Sequence, residues 1–131
     1  MAKNKVFIGY DYDCDKAAKD RLLGWDVNKE FDFSAYDRSF DNVAVNSDAA
    51  AVFKLDLAAR IGDSSHFLCV VGKETYRNAW MAWEIRKAVE LKKKLVAVKT
   101  DSTNNSPTAM QGVGASWSTT FDFDSIKKAM N

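Results

Sequence analysis

Trp80 and Glu84 stand four apart in the segment Tyr76-Arg77-Asn78-Ala79-Trp80-Met81-Ala82-Trp83-Glu84-Ile85. On a helix that spacing stacks an indole and a carboxylate on one face. Such a pair sets a carboxylate beside an aromatic face. Met81, Ile85, Ala88 and Val89 make the apolar stripe expected to face the core. Trp80 and Glu84 then fall beside that stripe, at the mouth of a cleft, and Trp83 turns outward toward Lys87. The plain structural alternative is a rim tryptophan with Glu84 paired to Lys87 on the surface.

Other chemistry-bearing residues are fewer. Asp11, Asp13 and Asp15 alternate, but Lys16 and Leu22 occupy the positions where an EF-hand calcium loop needs glycine and a carboxylate. An exposed acidic loop, with Asp13 or Asp15 capping the following helix, is the simpler reading. Cys14 and Cys69 lie far apart, with no metal-ligand spacing. Cys69 sits in an apolar run and reads as a buried, inert thiol. His66 is the only histidine, so any triad mechanism would have to use it; it opens a strand and reads as structural.

The elements that must position these residues alternate. Strands are expected at 5–10, 31–36, 67–71, 95–98 and 118–121, and helices at 13–29, 47–61, 79–93 and 122–130. Ser47 or Asn46 is the expected N-cap of the second helix and Gly62 its stop. Such alternation predicts one α/β domain over 1–131. The expected architecture is a flavodoxin-like three-layer sandwich with a five-stranded parallel sheet of order 2-1-3-4-5. Ligands of such sheets sit outside the carboxyl ends of the strands. The loops after Tyr10, Tyr36, Gly72 and Thr100 are therefore the ones to watch. The stretch 101–116 is long and polar and is a candidate lid.

Several familiar sites fail on this frame. A flavin-type phosphate loop needs Ser, Thr or Gly after the first strand, where this chain has Asp11-Tyr12-Asp13-Cys14-Asp15. A phosphorelay receiver needs an acceptor aspartate after the third strand, where the chain reads Val70-Val71-Gly72. A dehalogenase-type phosphatase is met only by Asp11-Tyr12-Asp13, since Gly62-Asp63 follows a helix.

Composition narrows the classes further. Nineteen Lys+Arg against eighteen Asp+Glu leave a net charge of +1, without the basic footprint of a nucleic-acid binder. No apolar run has the length of a membrane span, and the first residues lack a signal-peptide pattern, so a cytoplasmic protein is expected.

Val6-Phe7-Ile8-Gly9-Tyr10-Asp11 resembles the first strand and loop of TIR domains, and Trp80-x-x-x-Glu84 resembles their Trp-Cys-x-x-Glu element. With 58–61, 66–75, 94–99 and 112–117, the chain is similar over nearly its whole length to the TIR-like family of Thoeris anti-phage signalling proteins. Met81 stands where TIR domains often have Cys, Asn78 where Ser is common, and Gly9 where Ser usually precedes the tyrosine. The resemblance implies NAD⁺ as substrate, with no cofactor and no metal. It implies cleavage of the nicotinamide–ribose bond and a cyclic or conjugated ADP-ribose-derived signal that activates an effector protein. Glu84 carries over as the catalytic residue and Trp80 as its neighbouring tryptophan; with Trp80, the residues Phe7, Tyr10, Asp11 and Trp83 are expected to hold the substrate. Loss of nicotinamide through an oxocarbenium-like sugar suits a carboxylate at that place. A phage-derived activator and self-assembly are further expectations, and near-zero net charge does not oppose the latter. Two other classes stay open: a non-catalytic interaction module, with 39–46 as a contact, and a Mg²⁺ or Ca²⁺ sensor built on Asp11, Asp13 and Asp15.

Overall fold

The computed structural model describes residues 4–25, 31–36 and 42–131. Five parallel strands, β1 (Asn4–Gly9), β2 (Phe31–Ala35), β3 (His66–Val71), β4 (Lys94–Lys99) and β5 (Ser116–Ser118), form one sheet of order β2-β1-β3-β4-β5. Helices α1 (Lys16–Gly24), α2 (Ala51–Gly62), α3 (Ala79–Glu90) and α4 (Phe123–Met130) cover it. This is the flavodoxin-like three-layer sandwich that the alternation of elements predicts.

Burial explains the order. All six residues of β3 are buried, as befits a central strand with helices on both faces. β2 alternates buried and exposed residues, as an edge strand does. Period-2 alternation along β1 sends Phe7 to a core shared with α2 and α3, and Val6, Ile8 and the following Tyr10 to a core shared with α1 and α4. Gly9 faces the first core, where a Cβ would come within 2.6 Å of the Phe67 ring; the ring fills the space a serine would need. Cys69 is fully buried, and Cys14 is exposed.

The ends of elements depart from expectation for local reasons. α1 begins at Lys16, not at 13, because Asp11 Oδ1 accepts from the amides of Asp13 (3.0 Å) and Cys14 (3.1 Å) and coils that stretch into a turn. The expected extension of this helix to 29 falls mostly outside the described residues. Ser47 precedes a 3-10 turn at Asp48–Ala50 rather than capping α2, and its hydroxyl donates back to the Ala44 carbonyl at 2.6 Å. α3 stops at Glu90 instead of 93, since Lys92 takes the left-handed conformation (φ 59°) that ends a helix. β5 lies at Ser116–Ser118 rather than 118–121, with Ser116 in register with Val96 of β4. Residues 39–41 of the expected contact loop lie outside the described residues.

His66 is held as a structural residue. Its Nε2 lies 3.0 Å from the Met130 carbonyl, which can only accept, so Nε2 carries the proton, and Nδ1 lies 2.7 Å from Ser65 Oγ. Burial pushes its pKa down.

Candidate functional site

The inner face of α3 carries Trp80, Met81, Glu84, Ile85 and Ala88, all buried. Glu84 therefore sits within the stripe that a core helix fills with apolar side chains, not beside it. Its neighbours one turn away, Trp80 and Ala88, are 3% and 0% exposed, and Glu84 itself is 1% exposed. Taking a carboxylate out of water costs several kcal/mol unless the surroundings compensate, so its presence at a core position is a departure from packing logic. Such a departure makes Glu84 a functional-site candidate. The expected surface pair with Lys87 does not form; Lys87 pairs with Glu90 at 2.9 Å.

The segment before α2 covers Trp80, one turn from Glu84. The Trp80 indole N–H donates to the Val43 carbonyl at 2.8 Å. Val43, Val45 and Phe53 pack against the core that contains Trp80 and Met81. The tryptophan expected at the mouth of a cleft is thus roofed over, and the correction has a tertiary cause: residues far from α3 in sequence supply the roof.

The start of α3 is fixed by Asn78. Its Oδ1 accepts from the Met81 amide (3.0 Å), an N-cap, while its Nδ2 donates to Asp11 Oδ2 (3.0 Å). Asp11 thus ties the β1–α1 loop to the helix that bears Glu84. Sequence reasoning missed this role of Asn78, although an Asn just before an amphipathic run is a capping signal.

The other expected site residues are divided between regions. Phe7 is buried beneath α3 and stacks on Phe67 with ring centroids 5.9 Å apart. Trp83 is half-buried, edge-on to Trp80 at 6.2 Å, with Lys87 Nζ 5.6 Å from its ring as its outward position predicts. Tyr10 belongs to the opposite core, with Lys19 Nζ 5.4 Å from its ring. The fold gathers Phe7, Trp80, Trp83 and Glu84 on one side of the sheet and does not bring the Tyr10 ring to them.

A second region lies at the carboxyl ends of β1, β3 and β4. Three of the four loops expected there converge on an open cavity of about 660 Å³, lined by Asp15, Lys73, Glu74, Tyr76, Asp101 and Asn105 among others. Asp15 occupies the N-cap position of α1 but makes no capping bond. Its carboxyl instead crosses to the β3–α3 loop, where Thr75 Oγ1 lies 3.4 Å from Oδ2. It rests directly on Gly72, where a Cβ would meet Oδ1 at 2.1 Å, so only glycine leaves room for it. Burial, with the Asp11 carboxylate second, pushes the Asp15 pKa up to about 6. No sequence signal pairs Asp15 with Gly72, since the contact is made across two loops.

Comparison with known proteins gives a family and a fold. The family described as Thoeris protein ThsB, TIR-like domain, matches residues 7–105. No curated protein is significantly similar to the sequence. Among solved structures, the chain is similar to a 2-deoxyribosyltransferase from Bacillus psychrosaccharolyticus. That similarity has a TM-score of 0.60 and 15% identity, over 91% of this chain and 86% of that one. It is also similar to the CMP N-glycosidase BcmB of Clostridium botulinum, with a TM-score of 0.60 and 12% identity over 95% of both chains. A conserved protein from Enterococcus faecalis V583 is similar with a TM-score of 0.55 and 18% identity, over 77% of this chain and 66% of that one. At these identities the structural likeness is one of fold.

Proposed function

Because the chain belongs to the TIR-like domain family of the Thoeris protein ThsB, we propose that it breaks the nicotinamide–ribose bond of NAD⁺ and turns the ADP-ribose part into a cyclic signal. The observation that carries this reading is the carboxylate of Glu84 set within the buried stripe of α3, one turn from Trp80. The names of two structures with the same fold, a 2-deoxyribosyltransferase and a CMP N-glycosidase, denote chemistry at a ribosyl carbon and support the reaction class.

In the proposed step the bond from the ribose C1 to the nicotinamide nitrogen breaks, and its electron pair leaves with neutral nicotinamide. The sugar passes through an oxocarbenium-like state whose positive charge the Glu84 carboxylate stabilises. Removed from water, that attraction is stronger than it would be on the surface. Trp80 and Trp83 supply ring faces for nicotinamide, and Phe7 forms the floor beneath them. Exclusion of water favours capture of the sugar by a group of the substrate itself, which gives a cyclic product instead of free ADP-ribose. The covered form is then a resting form, and the substrate enters when the segment around Val43 leaves Trp80. An activator, phage-derived or a second copy of the chain, would drive that displacement. The released signal would act on an effector protein, and the enzyme would work in the cytoplasm. Among the described residues no helix is long and apolar enough to cross a membrane.

The test is nicotinamide release from NAD⁺, followed by chromatography and mass spectrometry, with and without lysate of phage-infected cells. Release that disappears in Glu84→Gln supports the proposal, and the product mass distinguishes cyclisation from hydrolysis. Equal release by wild type and Glu84→Gln overturns the role of Glu84. A non-catalytic interaction module is favoured by one observation: Val52 and Leu55 on α2 are 64% and 74% exposed. That reading expects no release in any condition and self-association that Leu55→Asp abolishes.

A further inference from the structure

The open cavity at the strand ends contains none of the side chains assigned above to NAD⁺ cleavage. Its walls are nonetheless built. Asn104 Nδ2 donates to the Val71 carbonyl and to Thr100 Oγ1, each at 3.0 Å, and pins the β4–β5 loop to the ends of β3 and β4. Asp101 holds the same loop by accepting from the Thr103 amide at 2.9 Å and its hydroxyl at 2.7 Å. The Gly72 amide donates to Thr75 Oγ1 at 2.8 Å and shapes the opposite wall. Asp15, 6% exposed, forms part of the lining between them, and Tyr76, 44% exposed, stands at the rim.

The chemistry of this lining selects a ligand class. An ionised carboxylate only accepts, and its two oxygens match a pair of adjacent hydroxyls. An acidic side chain that takes ribose hydroxyls at the carboxyl ends of parallel strands is a recurrent solution of open α/β sheets. An exposed aromatic ring at the rim offers a flat apolar face to a base. Glu74 is paired with Arg77, and of the remaining charges of the lining Asp15 and Asp101 outnumber Lys73, the one cation among the described residues that line it, which disfavours a phosphate-rich ligand. We propose that this cavity is a second binding site and takes a ribonucleoside, with the ribose hydroxyls donating to the Asp15 carboxylate and the base against the Tyr76 ring. The site is independent of Glu84 and stands whether or not NAD⁺ is cleaved.

Calorimetric titration of the intact chain with adenosine tests it. Adenosine is expected to bind one to one, and 2′-deoxyadenosine about tenfold or more weakly, the usual loss when a charged group forfeits a hydrogen bond. Asp15→Asn and Tyr76→Ala are each expected to weaken adenosine severalfold, and AMP to bind more weakly than adenosine. Tyr76 is a rim residue, so its truncation leaves the fold intact. Glu84→Gln is expected to bind adenosine as wild type does, which separates failure of this site from failure of the cleavage proposal. On that variant, displacement of adenosine by NAD⁺ supports a dinucleotide whose nucleoside end enters the cavity. Adenosine binding undisturbed by NAD⁺ supports a free nucleoside. Absence of adenosine binding, equal affinity for the deoxynucleoside, or unchanged affinity in both cavity variants overturns the proposal.

Discussion

Two carboxylates, Glu84 and Asp15, are both nearly removed from water, at 1% and 6% exposure, yet they sit in opposite settings. Glu84 lies in an apolar stripe, one turn from a tryptophan that a distant segment roofs over. Asp15 lies on a glycine shelf and lines a cavity open to solvent. Burial alone therefore does not define a site in this fold; access does. The first region has the surroundings for stabilising a cation but is closed. The second is accessible, but its chemistry is that of holding hydroxyls rather than of strengthening charge in a dry chamber. Between them runs a polar link, Asp11 to Asn78, that ties the loop of one to the helix of the other.

The largest expected effect breaks the comparison at Glu84. Glu84→Gln keeps the shape of the side chain and removes its charge, and about a hundredfold or greater loss of nicotinamide release is expected. Retained helical content by circular dichroism would show that the loss is chemical.

Asp15 provides the next. Its pKa is raised to about 6 from 3.8, so the native state binds its proton more tightly than the unfolded chain does. The carboxyl is then neutral in both states below 3.8. Stability falls as pH rises from about 4 to about 6, and the penalty is fully present above that, on the order of 1–3 kcal/mol. Asp15→Asn should be more stable than wild type at pH 7 and equal to it near pH 3, as read by urea unfolding at the two pH values. Equal stability at both would mean that the carboxyl is better solvated than its position suggests.

Asn78→Ala cuts the link between the regions. It removes a helix cap and the donor to Asp11 together, and a loss of about 1–2 kcal/mol is expected by thermal unfolding. Asn78→Asp restores the cap while placing a carboxylate against Asp11, and should recover less than half of the loss.

The smallest effect sharpens the notion of a roof. Trp80→Phe retains most of the ring and loses the bond to the Val43 carbonyl, worth about 1 kcal/mol. Hydrogen exchange of amides 43–50 should accelerate about fivefold, with the strands of the sheet unchanged. Unchanged exchange would assign the closure to Val43, Val45 and Phe53 packing instead.

Much of the frame was legible in the residues. Apolar runs at β1, β3 and β4 and the alternation at β2 announce which strands are central and which is an edge, because burial on two faces or one dictates that pattern. Strand order followed from the match of five alternating strands in one small domain to the flavodoxin-like sheet. Element ends were less legible, since an Asx turn at Asp11 and a left-handed Lys92 are decided by single side-chain or backbone choices. Within the candidate site, the pairing of Trp80 with Glu84 on one helix face is a property of spacing alone. Which way that face points is not.

The sequence by itself determined the layer architecture, the family resemblance and the four-residue pair on α3, since periodicity and local spacing are short-range properties. Only the tertiary structure decided that this pair is buried and that Asp15 reaches Gly72 across two loops. Those outcomes depend on which distant segments meet. Contact between residues separated by tens of positions is set by the packing of whole elements, and no local pattern records it.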